Sequence, residues 1–176
     1  METLLRNYAR NFDETDWFKA VYAACIAAVV FLVLQMMIAA FIQGYGPWMP
    51  VRMIGAIALG TGALAETGFP VGVLIVAFLL HLGLSIATAW VLAPVVHGNT
   101  LAMAALTGAA AGVLIYLVNF HVLVLGFTWF EGIRGWATLL NHLIFGAVLT
   151  ASYHLQTAAA RPAIRGPDRV GTGTSR

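Results

Sequence analysis

Gln35, His81, Tyr116, Asn119 and His142 stand inside long apolar runs, where a polar group cut off from water is costly and needs a partner. Two neutral imidazoles can ligate a b-type haem iron or a metal, or carry a proton. A glutamine or asparagine amide offers a donor and an acceptor together, and a tyrosine hydroxyl does the same. These types in one layer fit three chemistries: interhelical hydrogen bonding, a haem or quinone site built on His81 and His142, and a proton-linked transport path. The apolar runs hold no Asp or Glu, which weakens a carboxylate-driven exporter. No HxxxH or HExxH spacing, nucleophile with its base, phosphate-binding glycine loop or carboxylate pair occurs. No residue is therefore assigned a catalytic or confident metal-binding role, and a non-catalytic protein is expected.

The elements that must position this layer are transmembrane helices. Of the 176 residues, 61% are hydrophobic and 9% charged, against about 25% charged in a soluble domain. Four runs, at about residues 18–43, 71–94, 101–124 and 136–159, are each long enough to cross roughly 30 Å of hydrocarbon. The expected class is all-α: a four-helix transmembrane domain over residues 17–159, after a cytoplasmic segment 1–16 and before a disordered tail 160–176 rich in Arg, Pro and Gly. Between the first two spans, Val51 to Leu64 is apolar but short, which predicts an interfacial or re-entrant outer segment. The lone Cys25 lies in the first span and leaves no intramolecular disulfide or thiolate metal site.

Orientation follows from the basic residues. Arg6, Arg10 and Lys19 at one end and Arg161, Arg165, Arg169 and Arg176 at the other outnumber Arg52 and Arg134 in the opposite loops, so both termini should be cytoplasmic. The same clustering fits topology rather than nucleic-acid binding, although the net charge is +2. Measured from the outer ends of the spans, Gln35, His81 and Tyr116 lie roughly 12 to 15 Å deep and Asn119 and His142 roughly 8 to 9 Å deep. Helical spacing puts His81, Ser85 and Thr88 on one stripe, and Ala104, Gly108, Gly112, Tyr116 and Asn119 on another whose small residues invite a close neighbour. His121 points away from that stripe, and His97 and His154 fall at the cytoplasmic end, where solvated or interfacial roles are expected. On the outer side, Arg52, Glu66, Glu131 and Arg134 form a second group of candidate contacts. Glu131 with Arg134 predicts a local ion pair, and Arg52 predicts a headgroup anchor or a contact to a lipid phosphate or quinone head. Trp48, Phe127, Trp129, Phe130 and Trp136 predict an outer aromatic belt.

The strings GPWMPVRMIGAIALG, HLGLSIATAW, GAAAGVLIYLVNFHVL and WFEGIRGWATLLNHLIFGAVLTASYH resemble a group of small four-span bacterial inner-membrane proteins, some labelled sodium:proline symporter. The resemblance spans about residues 44 to 155. It implies a bacterial four-helix membrane fold with Arg52, His81, Asn119 and His142 on the motif positions, and no particular substrate or cofactor. The leading expectation is an accessory subunit, packed against other membrane protein subunits or itself and surrounded by lipid. The alternatives are a haem b or quinone protein and a small proton-linked transporter.

Overall fold

A computed structural model of the chain describes residues 2–65, 69 and 71–159. The described residues form helices joined by short turns, with no strand among them, in the order α1 (Glu2–Glu14), α2 (Trp17–Phe41), α3 (Met49–Leu59), α4 (Val71–Val96), α5 (Leu101–Leu117) and α6 (Trp136–Ala159). Glu66 and the tail from residue 160 lie outside the described residues.

Among the described residues, three stretches are long and apolar enough to cross a membrane: α2, α4, and α5 with its extension to Leu125. The fourth expected span, α6, is 24 residues long, but Thr138, Asn141, His142 and Thr150 lower its average hydropathy. All four of those side chains are buried. α6 is the central helix, packed against both α5 and α2, so its polar groups meet protein rather than lipid.

The residues that bring the helices together are small. Ala20, Ala23, Ala24, Ala27 and Ala28 recur at three- and four-residue intervals on α2 and are buried almost completely, which lets α4 and α6 approach closely. Farther along the same face the alanines give way to the larger Phe31 and Gln35, both of which line a cavity. Gly108 and Gly112 of α5 meet Gly146 and the backbone of His142 on α6 so tightly that a Cβ on any of these glycines would overlap a carbonyl oxygen across the interface. Thr150 adds a hydroxyl that donates to Ala104 O on α5 at 2.8 Å. The small-residue stripe of α5 is thus occupied within the chain.

The segment expected over Val51–Leu64 is an eleven-residue helix followed by a 3-10 turn over Thr61–Leu64, broken at Gly60 with φ 79°. At roughly 16 Å it is too short to cross the bilayer. It docks on α4, where Gly55 lies against Val73 with no room for a Cβ. α5 also ends sooner than its apolar run: Val118–Val122 forms a π-helical turn, and Leu123–Leu125 and Thr128–Ile133 are 3-10 turns.

The N-terminal segment carries a helix that its mixed charges did not announce. Leu4, Leu5, Tyr8 and Phe12 fall at helical spacing on α1. The chain then breaks at Thr15 and Asp16. Asp16 caps α2 by accepting from Lys19 N at 3.1 Å, and its carboxylate also pairs with Lys19 Nζ at 2.9 Å. The hydrogen bonds from Lys19 hold the Asp16 carboxyl below its ordinary pKa. Its stabilising contribution is therefore complete above the ordinary carboxylate pKa and is lost as pH falls through the lowered one. Asp16→Ala is expected to cost about 1 kcal/mol near neutral pH. In thermal melts, the gap between the variant and the parent should narrow under acid conditions.

Candidate functional site

Toward the end of the bundle where α3 lies, the helices enclose a cavity of about 370 Å³. α2 contributes Phe31 and Gln35; α4 contributes His81, Leu84 and Ser85; α6 contributes Thr138, His142 and Phe145. Pro50 and Ile54 of α3 close one side, and Asn119, Phe120 and Leu123 follow α5 along the other. Most of the wall is apolar. α4 and α5 barely touch one another, and the lining residues Leu84 and Leu123 on these two segments are 61% and 47% exposed. The cavity therefore opens sideways between them, toward the space that lipid occupies around a membrane helix.

Its polar groups have defined orientations. His142 lies on α6 with Nδ1 at 2.8 Å from Thr138 O. A carbonyl only accepts, so Nδ1 carries the proton and Nε2 is the acceptor of the neutral ring. Asn119 Nδ2 donates to that Nε2 at 3.4 Å. His81 on α4 has Nε2 at 3.1 Å from Ala28 O, which by the same reasoning makes Nε2–H the donor to α2. Phe31 packs against both imidazoles, with ring centroids 5.1 Å from His81 and 4.9 Å from His142. An iron shared by the two histidines would compete with that phenyl ring and with the His81 bond to Ala28, so the geometry does not fit a bis-histidine haem. Among the described residues, no three His, Cys, Asp or Glu side chains gather as metal ligands.

Gln35 is 3% exposed and is tied to Asn141, a residue that sequence reasoning missed. Asn141 Nδ2 donates to Phe31 O and to Gln35 Oε1, each at 3.1 Å. Phe31 O cannot donate, so it fixes the Asn141 amide; that amide in turn requires Gln35 to present its oxygen. Gln35 Nε2 is left buried with no hydrogen-bond partner. Gln43 and Thr138 form a second missed link: Gln43 Nε2 donates to Ile133 O at 3.1 Å and to Thr138 Oγ1 at 2.9 Å. Asparagine beside a histidine in an apolar helix was the available signal for Asn141; Gln43 lies in a loop and gave none.

Of the expected layer, Gln35, His81, Asn119 and His142 line the cavity, whereas Tyr116 does not. Tyr116 is buried behind the wall, its ring 4.9 Å from Phe120 and 5.7 Å from His142. Ser85 and Thr88 satisfy their hydroxyls on the α4 carbonyls of His81 and Leu84. His121 is exposed and outside the cluster. Of the charges expected on the outer side, Arg134 and Glu131 pair locally at 3.5 Å on the exposed surface, and Arg52 is half-buried near the start of α3. The expected aromatic belt divides: Trp136 is 69% exposed, while Phe127 and Phe130 line the cavity and Trp129 Nε1 donates to Met53 O at 3.0 Å.

At the opposite end, His97 is less solvated than its turn suggested. Its Nδ1 is 3.0 Å from Tyr153 Oη on α6 and its Nε2 3.7 Å from Glu14 of α1. Asn11 Nδ2 donates to Pro94 O at 3.0 Å, so α1 is fastened across the end of α4. No family model, curated protein or solved structure matches this chain.

Proposed function

We propose that the chain is a non-catalytic, four-span protein of the bacterial inner membrane, with both termini cytoplasmic, that holds a lipid-soluble amphiphile in the outer half of its bundle. The observation that carries this reading is the sideways-open, largely apolar cavity, whose lining holds a few polar side chains, Gln35, His81, Asn119 and His142. A volume of about 370 Å³ suits a ring-sized head, within the range of roughly 300 to 1,000 Å³ for small-molecule sites. The gap between α4 and α5 gives an apolar tail a way out into the bilayer. The length of α6 and its inward polar groups support its counting as the fourth span. The bias of Arg6, Arg10 and Lys19 against Arg52 and Arg134 supports the orientation.

The same gap favours a second reading, an accessory subunit whose cleft receives a helix from a partner in a larger assembly. Purification from native membranes in mild detergent separates the two. Under the amphiphile reading, one lipid-soluble compound is enriched over the bulk lipid extract and released on denaturation. Stoichiometric recovery of another membrane protein, with no enriched compound, supports the subunit instead. A Soret band in the optical spectrum would require a haem arrangement different from the one the histidines adopt here.

A further inference from the structure

We propose that the amphiphile is an uncharged lipid alcohol, such as an acylglycerol, whose hydroxyl is accepted by His81 Nδ1 with Asn119 Oδ1 as a second acceptor; this rests on the cavity being a binding site. Most polar atoms of the wall are already engaged by the protein. His142 is engaged at both nitrogens, Nδ1 on Thr138 O and Nε2 on the Asn119 amide. Gln35 accepts from Asn141 through its oxygen, and its Nε2 is buried without accessible surface. The hydroxyls of Ser85, Thr88 and Thr138 give their protons to the carbonyls of His81, Leu84 and Ile133.

Two lone pairs remain, on α4 and on the π-helical turn after α5. His81 gives its Nε2–H to Ala28 O, so the neutral ring keeps an acceptor at Nδ1. The His142 Nε2 lone pair takes Asn119 Nδ2, which turns that amide so that Oδ1 is left over. Neither Nδ1 nor Oδ1 has a hydrogen-bond partner among the described residues. Both side chains are half-buried in the cavity lining, and neither atom is sealed off as Gln35 Nε2 is.

Apart from the second proton of the Asn119 amide, the lining side chains offer no free donor that reaches the cavity. Such a wall selects a head that donates. Hydrocarbon, ether, ester and oxidised quinone heads donate nothing. A phosphate or carboxylate head brings a charge into a lining that holds no Lys or Arg. A hydroxyl gives its proton to His81 Nδ1, can still accept from the Asn119 amide, and carries no charge. The apolar tail leaves through the gap between α4 and α5.

The test is a calorimetric titration of the full chain, purified in an amine-oxide detergent whose head donates no hydrogen bond. Three ligands share one tail: 1-O-decylglycerol, the same molecule with both hydroxyls methylated, and decyl phosphate. Each is corrected for its partition into protein-free micelles. The parent protein is expected to bind decylglycerol most tightly, its dimethyl ether about tenfold more weakly, the equivalent of one hydrogen bond, and decyl phosphate least. His81→Phe keeps a ring beside Phe31 and removes the acceptor. It should bring decylglycerol down to the affinity of the dimethyl ether, which should itself be unchanged, and a melting curve checks that the variant folds. The comparison of ligands on the parent protein stands without any variant. If decylglycerol and its dimethyl ether bound the parent equally, the hydroxyl assignment would fail and the cavity reading would stand. An unchanged decylglycerol affinity in folded His81→Phe would overturn the role of His81. Tightest binding of decyl phosphate would overturn the uncharged head. If none of the three bound, the cavity reading itself would fail.

Discussion

Gly146→Leu is expected to prevent stable assembly of the bundle, whereas Gly83→Leu, the same change on another apolar helix, should leave its stability within about 0.5 kcal/mol of the parent. At Gly146 a Cβ would overlap Gly108 O and crowd the Gly112 backbone nitrogen, while at Gly83 it would meet nothing within 4 Å. The difference lies in what must move. Overpacking a core of side chains costs typically about 1 to 3 kcal/mol because rotamers can shift. Here the obstructing atoms are backbone on the facing helix, so relief requires α5 and α6 to separate and give up their shared burial. A loss of about 3 kcal/mol or more is expected, a large share of a usual total of about 5 to 15 kcal/mol. Thermal melting of both variants in the same detergent measures it, and equal melting temperatures would mean that α5 and α6 do not meet at these glycines.

That interface also shows which features of the fold were legible in the sequence. The stripe from Ala104 through Gly108 and Gly112 to Tyr116 follows from helical spacing alone, because a period near 3.6 survives whatever the stripe packs against. Its partner does not follow: nothing local to α5 says that Gly146, rather than an alanine of α2, will face it. α6 illustrates a related ambiguity. Its Thr, Asn and His residues read as a weaker span by composition, yet they are why it occupies the centre, where each can find a protein partner.

Within the candidate site, residue types and depths were legible and their connections were not. Gln35, His81, Asn119 and His142 share a cavity because four segments converge there, with Tyr116 displaced behind the wall. The π-helical turn at Val118–Val122 was not legible, since its sequence VNFHV holds no Gly or Pro to mark a departure from the α-helix. Asn141 was overshadowed by the histidine beside it, although 0% exposure makes it more deeply buried than His142 at 4%. A solvated or interfacial place is all that the turn around His97 implies, and only the packing of α1 and α6 brings Glu14 and Tyr153 to it. In each case the missing information was tertiary: which group ends a hydrogen bond, and on which helix it lies.

The importance of Asn141 can be isolated by a cycle of substitutions. Asn141→Leu removes the donor to Phe31 O and Gln35 Oε1 and leaves the Gln35 amide with neither end paired. Two magnitudes compete. Interhelical hydrogen bonds in membrane proteins average about 0.6 kcal/mol, because the unfolded chain in lipid also finds partners. An orphaned buried amide costs about 1 to 3 kcal/mol. Gln35 is only 3% exposed and cannot turn to water, so the second effect should govern, giving a loss of about 2 kcal/mol for Asn141→Leu. Gln35→Leu alone should cost much less, since Asn141 retains its bond to Phe31 O and an unsatisfied donor disappears. The double variant is the decisive measurement. With both polar groups replaced by leucine no amide remains to be satisfied, and much of the stability lost in Asn141→Leu should return. A double variant no more stable than Asn141→Leu would mean that the loss comes from packing of the α2–α6 interface, and that the Gln35 amide is not held in place by Asn141.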